Sequence, residues 1–394
     1  MLKRTRSFLV LVMLLMTVTM SAQVTTATMS GKVTAQDEPI IGATIVAIHE
    51  PSGTRYGTVT NVSGQFNLQG MRTGGPYKVE ISYVGYQTAI YKGINLLLGE
   101  NYVLNVSLKE SSELLDEVVV TASKESNMKS DRAGAIMNAN RDMISNTPTV
   151  SRSISDIMRL SPQGADVGNG FAVGGGNYRQ SFVTVDGAAF NNTFGLGGNL
   201  PANGSPISLD ALEQVTVAVT PFDVRQSGFT GGAINAVTRS GDNQFRGTAY
   251  MYFNNENLKG SKVDDYELLR SKAQYYTYGA SFGGPIIKDK LFFFVNGEYE
   301  DNVTAGSNYR PRTALGESYS GGNIHRPLQS DMDDMRGFLL NKYNFDPGKY
   351  NDYSTDTPAY RVMARVDWNA NQNNKVSFRF TKTHTKDSNF PTSS

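Results

Sequence analysis

Cysteine is absent from the 394 residues, and histidine is nearly so, with only His49, His325 and His384, far apart in the chain. The first absence excludes disulfide frameworks, thiolate metal sites, a thiol nucleophile and a lipoprotein acceptor thiol. The second leaves no histidine cluster for a zinc centre and no Ser-His-Asp set, and the lone His49-Glu50 pair does not supply one. No metal, no cofactor and no enzymatic activity are therefore expected. A charge excess is missing too: 37 basic residues face 36 acidic ones, for a net charge of +1. Strong attraction to nucleic acid is excluded as a main theme, and no nucleic-acid partner is expected. Long apolar runs are scarce. The one present, FLVLVMLLMTV at 8–18, follows Lys3, Arg4 and Arg6 and precedes the small pair Ser21-Ala22. It is short for a hydrocarbon layer of ~30 Å, and its flanks are those of a secretory signal over 1–22, cut after Ala22.

What the chain has in quantity is 39 Gly, 20 Tyr and 19 Phe, at a mean hydropathy of -0.34. Aromatic side chains fit a pleated surface, and glycine serves turns and bulges. A mainly β fold is expected. From about 29 to 109 the pattern has period two: Tyr77, Val79, Ile81 and Tyr83 alternate with Lys78, Glu80 and Ser82, and Tyr102, Leu104, Val106 and Leu108 with Val103, Asn105 and Ser107. Short strands between turn signals such as PSG, VSG and TGGP predict a small antiparallel sandwich over 23–110. The stretches SGKVTAQDEPIIGATIVAI (30–48), GTVTNVSGQFNLQG (57–70) and YKVEISYVGYQ (77–87) resemble the carboxypeptidase regulatory-like domain, a non-catalytic β-sandwich of exported proteins.

Residues 124–242 are mixed. In SISDIMRLSP (153–162), Ile154, Ile157 and Met158 share one helical face, and Pro162 closes the helix. FVTVDG (182–187) reads as a strand ending in an Asp-Gly turn. SLDALEQVTVAVT (208–220) reads as a capped helical turn entering a strand, with Asp210 and Glu213 at capping-box spacing. GGAINAVTRSG (231–241) is another strand bounded by glycines. The Gly-rich GNGFAVGGGNY (168–178) lacks the Lys-Ser/Thr of a phosphate loop and reads as a tight loop. This order, with PFDVRQSGFTGGAINAVTRSG, resembles the plug domain of TonB-dependent outer-membrane receptors, the wording being nearest the Oar-like branch. The resemblance implies an α+β plug.

Residues 243–394 alternate again, in 245–253, 274–282, 291–299, 360–368 and 376–380. Tyr276, Tyr278, Ala280 and Phe282 share one face, against Tyr275, Thr277 and Ser281. Leu291, Phe293, Val295 and Tyr299 oppose Phe292, Phe294, Asn296 and Glu298. Tyr360, Val362, Ala364, Val366 and Trp368 oppose Arg361, Met363, Arg365 and Asp367. The connections alternate long (254–273, 300–359) and short (283–290, 369–375). Tight turns on one side and long loops on the other predict the first strands of a transmembrane antiparallel β-barrel, with Tyr299, Tyr360 and Trp368 at the lipid interface. A soluble sheet also alternates, but it does not explain a loop of about sixty residues. The acidic stretch DMDD (331–334) is expected in a solvated loop. Plugged barrels have about 22 strands, so the sequence is expected to be the leading part of a longer barrel.

One run remains. In ELLDEVVVTASKE (113–125), within the linker 111–123, three valines and a threonine stand between polar flanks. On the run alone, a structural strand (the last of the sandwich, or one docked on the following domain) and a free partner-binding strand are equal readings. LDEVVVTA resembles the TonB box of these receptors. That implies Asp116, Glu117, Val118, Val119, Val120, Thr121 and Ala122 as the partner-binding residues, free of both neighbouring domains and gripped by a TonB-type energy-coupling protein in the periplasm. Strand addition would supply the affinity. The other partners implied are outer-membrane lipid and, as a further candidate, a surface lipoprotein. The expected activity is TonB-energised transport of an unidentified substrate across the outer membrane. The rival is a surface protein whose barrel merely anchors adhesive loops.

Overall fold

The computed structural model describes residues 25–110, 118–121, 136–149 and 152–386, apart from 168–169, 193–197, 199, 203, 220–229, 259, 261, 265, 268–271, 306–309, 320–323, 351–353 and 372–373. The predicted signal, 1–22, lies outside the described residues.

The first sheets come from β1 (Ala27–Ala35), β2 (Glu38–Pro39), β3 (Thr44–His49), β4 (Thr54–Val59), β5 (Gln65–Met71), β6 (Gly74–Ser82), β7 (Ala89–Leu96), β8 (Asn101–Val103), β9 (Val106–Ser107) and β10 (Val118–Thr121). One sheet has the order β2-β1-β5, with β8 and β9 also on β1; the other is β10-β7-β6-β3-β4. Alternation makes the core. Met29, Val33, Ile45, Tyr77, Val79 and Ile81 are all fully buried, each such side chain worth roughly 1.5–3 kcal/mol. Between the buried positions of β6, Lys78 and Glu80 pair at 2.7 Å on the outer face. His49 is a core residue: Nδ1 lies 2.7 Å from Ser52 Oγ and the ring meets Tyr77 edge-on. Burial, reinforced by the nearby Arg72 charge, lowers its pKa to about 3, so the imidazole is neutral.

The middle sheet holds β11 (Ile136–Ala139), β14 (Phe182–Val185), β15 (Ala188–Ala189), β16 (Leu212–Ala218) and β17 (Ala233–Thr238), in the order β11-β16-β17-β14-β15. A separate ribbon pairs β12 (Gly164–Asp166) with β13 (Phe171–Val173). Asp186 and Gly187 both take positive φ, 51° and 84°, and turn β14 back into β15. The helix Ile154–Met158 buries Ile154, Ile157 and Met158, as its spacing predicts. The predicted capping box at Asp210 is not what starts the turn at Leu209–Ala211. Ser208 accepts the Asp210 N–H instead, which leaves the Asp210 carboxylate for other partners.

The last sheet has the order β18-β21-β22-β26-β27, from β18 (Arg246–Asn255), β21 (Ala273–Ile287), β22 (Leu291–Ala305), β26 (Ala359–Asn369) and β27 (Lys375–Thr385). Connections of a few residues, 288–290 and 370–374, permit only antiparallel pairing of the strands they join. Two strands are longer than the alternation suggested: β21 and β22 have 15 residues each, beyond the ~9–11 a tilted strand needs to cross a bilayer. Between β18 and β21, β19 (Lys262–Val263) pairs with β20 (Tyr266–Glu267). The long connection before β26 is not structureless. It carries β23 (Arg310–Arg312) beside β24 (Ile324–Leu328), a helix at Gln329–Tyr343, and β25 (Ser354–Asp356) paired with the far end of β22. The DMDD stretch therefore sits on a helix, not in a loop, because Leu328 and Asn344 bound a continuous turn pattern. Among the described residues no helix is long and apolar enough to cross a membrane. Contacts divide the chain into two units: 1–248 with 281–296 and 362–382, and 249–280 with 297–361 and 383–394.

Candidate coupling strand and ion-paired strand faces

The backbone of Val118–Thr121 is a strand, as its β-branched run predicts, but it is not free of its neighbours. It lies parallel to β7, with Val118 beside Ala89, Val119 beside Ile90, Val120 beside Tyr91 and Thr121 beside Lys92. The sandwich therefore claims it as an edge strand, the alternative the bare run left open. The physical reason is that β7 is otherwise the end of its sheet and offers a row of unpaired backbone groups. Asp116, Glu117 and Ala122 lie outside the described residues.

The long strands invert the usual rule of burial. On β22, Phe292, Phe294, Asn296, Glu298 and Glu300 are buried, whereas Val295 and Tyr299 are 42% and 46% exposed. On β26, Arg361, Arg365 and Asp367 are buried, and Val362 and Trp368 are exposed. On β21, Thr277 and Ser281 are buried and Tyr278 and Phe282 exposed. An apolar outer face over a polar, ion-paired inner face is stable where the outer medium is hydrocarbon. In the second unit, Arg361 is gripped by Glu298 at 3.0 Å and Glu300 at 2.6 Å. Beside this pair, Tyr250 donates to Glu298 at 2.5 Å. Its ring lies across Gly279, where a Cβ would come within 2.1 Å of it.

In the first unit, a set of ion pairs ties the middle sheet to the strand faces. Arg365 donates to the Thr238 carbonyl and to Asp367. Asp367 also pairs with Arg72 of the sandwich at 3.1 Å, and Arg72 donates to Ser240 at 2.6 Å. Asp186 accepts from the Thr238 N–H at 3.0 Å and faces Arg379 at 3.5 Å. Asp210 accepts from Arg141 at 3.0 Å and Thr248 at 2.6 Å. Burial alone would raise the Asp210 pKa, but hydrogen bonds from Ser281, Thr248 and Arg141 outweigh it and hold the carboxyl below its usual value. Glu213 goes the other way: burial dominates over Arg239, Arg141, Arg365 and Arg72, and its pKa is raised. A cavity of about 480 Å³ lies within this set, with Arg72, Glu213, Arg239, Arg365 and Arg379 on its walls. Phe294 and Met363 join the apolar core of the middle sheet. Among the described residues no group of three or more His, Asp or Glu could hold a metal ion.

Sequence reasoning placed Arg361, Arg365 and Asp367 on one face but did not find their partners. Arg72 and Arg141 carry no local motif, and the motifs at Asp186 and Asp210 marked a turn and a cap rather than ion pairs; the only signal was charge recurring on the face opposite the aromatics.

Comparison with known proteins agrees with this architecture. Residues 28–109 match the carboxypeptidase regulatory-like domain, and residues 237–394 match an outer membrane beta barrel domain. The TonB-dependent transporter Oar of Myxococcus xanthus is 25% identical over 342 residues, 83% of this chain and 30% of the relative. The TonB-dependent receptor SusC of Bacteroides thetaiotaomicron is 29% identical over 269 residues, 64% of this chain and 24% of the relative. The chain thus spans less than a third of the length of these curated relatives. Similar solved structures include the siderophore receptor PirA of Acinetobacter baumannii, at 16% identity and a TM-score of 0.42 over 64% of this chain and 31% of that one. Another is the outer membrane transporter YddB of Escherichia coli, at 12% and 0.44 over 64% and 33%. The fold is mainly β: a small sandwich, a middle sheet and the strands of an outer-membrane β-barrel domain. The chain is an outer-membrane protein that joins a carboxypeptidase regulatory-like domain to an outer-membrane β-barrel domain, and it is homologous to the TonB-dependent transporter Oar and the TonB-dependent receptor SusC.

Proposed function

We propose that the protein is a non-enzymatic TonB-dependent transporter. Substrate binds on the outer side, a TonB-type protein pulls on Asp116–Ala122 from the periplasm, and the plug loosens to let substrate pass. The observation that carries this reading is the ionic set Arg365–Asp367–Arg72 and Asp186–Arg379, which fastens a folded domain to the polar faces of strands whose outer faces are apolar. A mere anchor needs no such domain. Ion pairs and hydrogen bonds can also be exchanged for water as the plug opens, whereas an oily interface would resist opening. The outer membrane has no ATP, so force must arrive through a periplasmic contact, and pairing along a strand transmits it well.

The test is Val119→Pro, which deletes one backbone donor from the strand. Energised uptake by cells producing the full-length protein is expected to be lost, with surface binding of substrate retained. Uptake at the parental rate, or uptake indifferent to a proton uncoupler, overturns the reading.

A further inference from the structure

Among the described residues, the sandwich sheet β10-β7-β6-β3-β4 ends on one side in β10 and on the other in β4, and the two edges differ. The β4 edge, TRYGTV, contains an exposed Arg55 and Gly57, residues of the kind that discourage pairing with another chain. The β10 edge, VVVT, contains no charge, proline or glycine. Ala89 joins the sandwich core and the next residue, Ile90, is only 2% exposed, so β7 is enclosed on both faces beside Val118 and Val119, whereas Tyr91 is half-buried and Lys92 exposed beside Val120 and Thr121. In a strand, successive backbone groups point to alternate sides, so pairing with β7 uses only half of those in β10.

From this we infer that the carboxypeptidase-like sandwich is a presentation platform for the coupling strand. Val118–Thr121 is held in extended form on β7, and its outer edge takes an extended strand of the energy-coupling protein, which continues the sandwich sheet by one strand. This rests on the reading of 116–122 as the partner-binding segment and adds where that segment is held and which edge is offered. Holding the strand in place removes the ordering cost that a loose peptide would meet on binding. The partner called for is a protein with an unpaired strand edge of its own, not a lipid or a small solute.

Residues 1–394 contain no cysteine, so a cysteine pair at in-register positions introduces the only thiols in this part of the protein. Val119→Cys with Ile90→Cys, in the full-length protein purified from outer membranes, is expected to form a disulfide on oxidation. The oxidised and reduced forms are then mixed with the purified periplasmic domain of the TonB-type protein, and co-purification is measured. Equal or stronger capture by the oxidised form is the expected result. Failure of the disulfide to form overturns the docking on β7. A disulfide that abolishes capture, with capture restored by reductant, overturns the platform, because β7 would then be a cover. No capture by either form overturns the coupling-strand reading itself, a result distinct from the other two. Ile90→Cys alone, captured as the parent is, shows that the β7 substitution leaves the sandwich folded.

Discussion

The sandwich and the barrel strands share the same period-two alternation, with opposite consequences. In β6, Val79 and Ile81 turn inward and are fully buried, while Lys78 and Glu80 pair outside. In β26, Arg361 and Arg365 turn inward and are buried, while Val362 and Trp368 face out. The alternating chain is indifferent to which set goes inside. The surrounding medium decides: water rewards burial of the apolar set, and lipid rewards burial of the polar one, provided its charges find partners.

The comparison can be broken most strongly at Val79. Val79→Lys puts an unpaired charge in a dry core and is expected to unfold the sandwich, a cost above about 4 kcal/mol. Loss of hydrogen-exchange protection across β3, β6 and β7 measures it. Next comes Arg361→Ala, which leaves Glu298 and Glu300 buried without their cation and is expected to cost about 3–5 kcal/mol. Urea unfolding of the folded barrel reads it, and Arg361→Lys is expected to recover part. One residue along, Val362→Lys places the charge in lipid and costs about 2–4 kcal/mol if Val362 lies near the bilayer midplane; in detergent micelles the penalty is expected to shrink. At the small end, Lys78→Ala removes a half-buried pair on the outer face and changes sandwich stability by about 0–1 kcal/mol. Equal effects at Lys78 and Arg361 would sink the comparison.

Two carboxyls of the middle sheet region sharpen it further. Asp210 has a lowered pKa, so its contribution is complete above 3.8, its unperturbed value, and is lost as pH falls through the lowered folded value. Glu213 has a raised pKa: the fold favours its protonated form, and stability declines as pH rises from 4.5 through the raised value. Asp210→Asn is therefore expected to weaken protection of the middle sheet by about 1–3 kcal/mol at neutral pH. Glu213→Gln is expected to leave it unchanged or increase it. Hydrogen exchange of β16 and β17 amides against pH distinguishes the two.

Much of the fold was legible because its signals are local. Alternation located β6, β22 and β26, the Asp-Gly pair marked the turn after β14, and the three apolar residues of the helix Ile154–Met158 marked its buried side. The cap at Ser208 was misread because Asp210 offers the same spacing, and only the observed hydrogen bonds show that its carboxylate is engaged elsewhere. Helix Gln329–Tyr343 was missed because its exposed faces carry no periodic apolar stripe, and none of its residues is buried.

By itself the sequence determined where strands form and which residues share a face, since side-chain direction in a strand depends only on the neighbouring backbone. It also determined that Val118–Thr121 would be extended. Tertiary structure alone decided that this strand rests on β7 and that Arg72 meets Asp367. A free edge and a buried charge each choose partners by proximity in space, and proximity between distant segments is written in no local pattern.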